Sequence, residues 1–63
     1  MTKKALIKII ESILADEDDA EQQYSRLRDQ IKIPEAQDLL KEIVHDERKH
    51  QRYLIEILSL LED

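Results

Sequence analysis

Within 63 residues only Pro34 can punctuate a helix, and the chain contains no glycine. That leaves almost no turn chemistry for β-hairpins, whose tight turns depend on residues that accept positive φ. Proline suits the first turn of a helix, where its missing N–H costs little, and it biases the preceding Ile33 away from helical angles. Glu35 then places negative charge at the positive end of the new helix. The sequence predicts helix 1 over about 3–31, a turn at 32–34 and helix 2 over about 35–62. So short a link makes the helices antiparallel neighbours, an all-α hairpin forming a single domain.

A chain this short buries too little surface to be comfortably stable alone. Disulfides, a metal or partner subunits are the usual supplements. Cysteine is absent, which excludes disulfides and thiolate metal sites and leaves the other two. The net charge of -5 argues against nucleic acid as a partner. Lys8 and Glu11 interrupt the apolar N-terminal run too early for a signal peptide, and nothing reaches membrane-spanning length. A soluble, cytoplasmic protein is expected.

A seven-residue repeat with steps of three and four threads each helix. Helix 1 gives Leu6, Ile10, Ile13, Glu17, Ala20, Tyr24, Leu27 and Ile31; helix 2 gives Ala36, Leu40, Ile43, Glu47, His50, Leu54, Ile57 and Leu61. This seam is apolar except at Glu17 on one helix and at Glu47 and His50 on the other. Glu17 precedes Ile33 by 16 residues and Glu47 follows it by 14. At about 1.5 Å per residue both lie roughly 20–25 Å from the turn, so the three groups can share one layer. A second apolar row, Ile7, Ile9, Leu14, Leu39, Val44, Leu58 and Leu60, cannot be covered by the same hairpin. Self-association into a four-helix unit or a larger ring is therefore expected.

Carboxylates and imidazole inside a core require compensation. A basic residue reaching in from a flank, a mutually hydrogen-bonded layer that fixes register, or a bound cation would each serve. Oxygen donors with imidazole suit iron, manganese or zinc. The spacing Glu-x-x-His is by itself common in charged helices; its value here comes from Glu17 at matching height. Di-iron carboxylate bundles use a Glu from each of two helices and a Glu-x-x-His from each of two others. One chain holds half of that inventory, and a twofold dimer would hold all of it.

With these residues in view, the chain resembles the encapsulated ferritins, two-helix members of the ferritin-like superfamily. Glu17, Tyr24 seven residues on, and Glu47 with His50 in "DERKH" carry the resemblance, which spans nearly the whole chain. It implies a ferroxidase that oxidises Fe(II) with dioxygen at a di-iron centre formed between subunits. It also implies a homodimer within a ring, typically a decamer, housed in an encapsulin shell where oxidised iron mineralises. By position Glu17, Glu47 and His50 would be the iron ligands, with Glu47 bridging. Tyr24 would join the catalytic group from just behind the ligands, although an ordinary core tyrosine accounts for it equally. Asp16 and Asp19 in "ADEDDAE" fall where relatives carry glutamates that draw cations inward, and Gln23 stands where relatives carry tryptophan. A solvated acidic face is the plainer account of that run. His45 lies off the seam and is not counted as a ligand. Relatives continue beyond the second helix to a shell-targeting tail. The end at "LSLLED" fits a trimmed chain or a domain cut from a fusion with its shell protein.

Two further functions stay open on the residues alone. One is a rubrerythrin-like peroxide reductase or a manganese site on the same scaffold. The other is a non-enzymatic helical oligomerisation module whose polar layer only sets register.

Overall fold

A computed structural model describes residues 1–62. Two helices run through it, α1 over Lys3–Gln30 and α2 over Pro34–Glu62, with no strand among the described residues. They fold back on one another as a rod of 47 × 15 × 13 Å. The expected hairpin is present, with Ile31 outside α1 and Pro34 inside α2. No helix among the described residues is long and apolar enough to cross a membrane.

Each end has an identifiable cause. Thr2 caps α1: its Oγ1 accepts a hydrogen bond from the Ala5 backbone N–H at 3.1 Å, satisfying a donor that has no partner inside the helix. Ile31 turns extended at φ -80°, ψ 125°, its N–H still donating to the Leu27 carbonyl at 3.0 Å. Pro34 opens α2, and the first bond of that helix runs from Gln37 N–H to the Ile33 carbonyl at 3.0 Å. Gln37 also reaches back, donating from Nε2 to the Ile31 carbonyl at 2.6 Å and the Arg28 carbonyl at 3.4 Å. Lys32 Nζ donates to the Asp29 carbonyl at 2.8 Å. Side chains thus satisfy the carbonyls that a helix end leaves over, without a glycine cap.

The packing corrects the expected seam. Toward the other helix α2 turns Gln37, Leu40, Val44, Glu47, Gln51, Leu54, Leu58 and Leu61, all buried or half-buried. From α1 the half-buried row is Ile7, Ile10, Leu14, Glu17, Glu21, Ser25 and Arg28. Leu6, Ile13, Tyr24, Leu27, Ile43, His50 and Ile57, expected inside, are exposed. Ile7, Leu14, Val44 and Leu58, expected on the outer row, face inward, while Ile9, Leu39 and Leu60 do remain outside. The reason is a rotation of each helix by part of a turn. It brings polar residues with partners across the hairpin, such as Glu21 and Gln51, into the seam, and it turns an almost purely apolar row outward.

That leaves a thin core. Among the described residues only Leu40 at 8% and Val44 at 3% relative exposure are buried, whereas Leu39 is 63% and Leu60 71% exposed. Most of the exposed apolar side chains of α2 fall on one row at the spacing of a second helical seam, Leu39, Ile43, Tyr53, Ile57 and Leu60, with Asp46 and His50 at its middle.

The turn offers a direct check. Gln37→Ala leaves two carbonyls without their side-chain donor and should lower stability by about 1–2 kcal/mol. Urea unfolding at fixed protein concentration should show the midpoint falling with an unchanged slope. An unchanged midpoint would mean that water replaces the glutamine without cost.

Candidate metal centre

The middle of the hairpin is where the two rows meet. Glu17 and Glu47 stand on the inner seam at equal sequence distance from Lys32, 15 residues on either side. Antiparallel helices of equal rise therefore set them at one level. His50 follows Glu47 by three residues, which places it on the neighbouring, outward row. Glu17 and Glu47 are half-buried and His50 is exposed, so the group opens toward the uncovered apolar flank.

One ligand atom from each of the three lies within 4.8 Å of the others. Ligand atoms around a single first-row ion, each about 2.0–2.2 Å from it, stand at most about 4.4 Å apart. The 4.8 Å spread is close to that limit. His50 Nδ1 lies 3.7 Å from Glu17 Oε2, too far for a hydrogen bond. Glu17 Oε2 is shut off from solvent and has no hydrogen-bond partner. Such an oxygen costs about 1–3 kcal/mol, more if it carries charge. A cation is the partner that would satisfy it, and two carboxylates with an imidazole are donors that iron, manganese and zinc accept. The residues therefore fit the metal that the sequence implied.

The other expected residues do not join this group. Tyr24 is 36% exposed and, among the described residues, makes no hydrogen bond. The core position expected for it is corrected: the rotation of α1 carries it to the outer flank. There, with Asp16, Asp19, Ala20 and Gln23, it lines an open depression of about 240 Å³. Asp19 Oδ2 accepts from Gln23 Nε2 at 2.8 Å, and Asp16 is exposed. His45 is exposed, off the inner seam.

Sequence reasoning missed a second polar cluster beside the first. Glu21 is largely buried, and both of its oxygens are engaged. Gln51 Nε2 donates to Oε1 at 3.1 Å, and Arg48 Nε lies 3.3 Å from Oε2. The available signal was position: Glu21 follows Glu17 by one helical turn, and Gln51 follows Glu47 by the same step.

With this geometry in hand, the chain can be set beside known proteins. A family model described as Rubrerythrin matches residues 1–62. The chain belongs to the rubrerythrin family. No curated protein and no solved structure matches it. Membership places the chain in the ferritin-like superfamily, among iron-binding di-iron carboxylate proteins that are generally oxidoreductases. The match reaches the rubrerythrin family as a whole and does not single out the encapsulated ferritins.

Glu17→Gln tests the unpaired oxygen. Removing a half-buried charge should leave the metal-free protein as stable or up to about 1 kcal/mol more stable. Co(II) should raise the melting temperature of the native protein, and the variant should lose that rise. A variant still stabilised by Co(II) to the native extent would take Glu17 out of the ligand set.

Proposed function

We propose that the protein is a ferroxidase whose di-iron centre is completed by a second copy of the chain. The observation that carries this reading is the half-inventory. One hairpin brings together Glu17 from α1 and Glu47 and His50 from α2, within 4.8 Å, on the edge of an uncovered apolar flank. Two copies related by a twofold axis would supply four carboxylates and two imidazoles, the donor set of di-iron carboxylate bundles. The same docking would cover Leu6, Ile13, Leu27, Ile43 and Ile57, each of which one hairpin leaves more than a third exposed.

Fe(II) is the substrate. Two ions give one electron each to one dioxygen, which leaves with two protons as hydrogen peroxide while both ions become Fe(III). The protein's part is electrostatic and geometric. Glu17 and Glu47 neutralise the incoming charge, His50 supplies a nitrogen donor, and the apolar flank excludes water from the closed layer. Asp16 and Asp19 raise the local concentration of cations at the depression beside Tyr24. Dimers assembled into a decameric ring inside an encapsulin shell would give the oxidised iron a place to mineralise.

A second reading is supported by the family match itself. A rubrerythrin-like peroxide reductase would use the same ligands with peroxide as the oxidant. Manganese or zinc could replace iron at the same donors.

The deciding experiment loads the protein with Fe(II) anaerobically and then admits either air or peroxide. Oxidation in air at two Fe(II) per dimer, with the rate reduced about 100-fold or more in Glu47→Ala, is the expected outcome. Rapid turnover with peroxide alone would favour the reductase. Equal rates in the variant and native protein would eliminate both. Native mass spectrometry of the same samples should find even numbers of chains whenever iron is bound.

A further inference from the structure

The inner seam holds two carboxylates one turn apart on α1, and the chain treats them in opposite ways. Glu17 has an oxygen with no hydrogen-bond partner, its nearest donor being His50 Nδ1 at 3.7 Å, whereas Glu21 has a close partner for each of its oxygens. Both partners of Glu21 come from the turn of α2 that carries Glu47 and His50. Glu21 stands 11 residues before Lys32 and Gln51 stands 19 after it, so the two straddle the level of Glu17 and Glu47. Side chains lean toward the N-terminus of their own helix. Glu21 therefore leans away from the turn and Gln51 toward it, and their 3.1 Å hydrogen bond crosses the donor level along the seam.

From this arrangement we infer that Arg48 and Gln51 are positioning residues that keep Glu21 out of the ligand set and cancel its charge toward the bound ion. The inference rests on the metal-binding reading above. Its physical content is charge balance. Glu17 and Glu47 bring two negative charges and His50 binds as a neutral imidazole, which matches one divalent ion per chain. An uncompensated Glu21 would make three negative charges, an excess that a layer closed from water tolerates poorly. The Arg48 guanidinium, 3.3 Å from Glu21, returns the sum to that of a divalent ion. Gln51 donates to the other oxygen, so each oxygen of the Glu21 carboxylate already holds a partner from α2. Arg48 is itself 66% exposed, so its effect is partly screened and should weaken with salt.

The test is a double-mutant cycle on the full chain, with Co(II) as the probe and its affinity and visible absorption spectrum as readouts. Glu21→Gln leaves Arg48 uncompensated and should weaken Co(II) binding about 3–10-fold, the effect of one charge acting on a divalent ion across partly wet protein. Arg48→Gln should strengthen binding by a similar factor, and Arg48→Lys, which keeps the charge, should bind as the native protein does. The double variant Glu21→Gln with Arg48→Gln should return to native affinity. The Co(II) spectrum of Glu21→Gln should equal the native one. If that spectrum changes, or the double variant binds as weakly as Glu21→Gln, Glu21 is a ligand and the inference is overturned. If none of the variants moves the affinity, the cluster only joins the helices, and the inference is equally overturned. Glu17→Gln serves as the control. Native protein that binds no Co(II) would overturn the metal reading itself, a failure distinct from the others.

Discussion

A carboxylate oxygen that neither water nor any protein donor reaches sets the terms for this molecule. Glu17 Oε2 sits in the middle of a two-helix rod, beside Glu47 and 3.7 Å from His50. Folding alone has no use for it. An alanine or leucine there would extend the apolar seam, and replacing buried ionic groups by packed apolar ones commonly stabilises a protein. With only two buried side chains among the described residues, there is little stability to give up. Retaining such an oxygen makes physical sense when something binds it, and the surrounding donors suit a cation.

The same limit on core size explains why the site faces outward. Two helices can satisfy each other along one stripe only, and each of these carries two adjacent stripes. The inner one holds the polar residues that find partners across the hairpin, namely Gln37, Glu21 and Gln51. The outer one holds apolar residues with His50 and Asp46 near its middle. His50 thus lies where a second layer of helices would press, whereas Glu17 and Glu47 look out from the first. Metal binding and burial of the outer flank would occur at one place, so each should strengthen the other by linkage.

Much of this was legible in the residues. The lone proline and absent glycine gave the hairpin, and equal spacing of Glu17 and Glu47 about the turn gave their common height. What periodicity could not give was the rotation of each helix. A stripe through Leu40, Glu47, Leu54 and Leu61 belongs to two overlapping heptads, one completed by Val44 and Leu58, the other by Ile43 and Ile57. Hydrophobicity barely separates them. The choice turns on polar partners across the gap, such as Gln51 with Glu21, which become visible only when both helices are placed together. Tyr24 moved to the surface for the same reason.

The rotation also sharpens the rival account in which the polar layer merely fixes register. A register device works by satisfying itself: its members hydrogen-bond when aligned and lose those bonds when the helices slip. Glu21, Gln51 and Arg48 meet that description, with both oxygens of the carboxylate engaged across the hairpin. Glu17, Glu47 and His50 do not, since their closest ion-pair distance exceeds hydrogen-bonding range and one oxygen is left bare. Register and metal therefore need not compete for the same residues. The chain holds one polar cluster that is complete without a ligand, and beside it a second whose bare oxygen an added positive charge would satisfy.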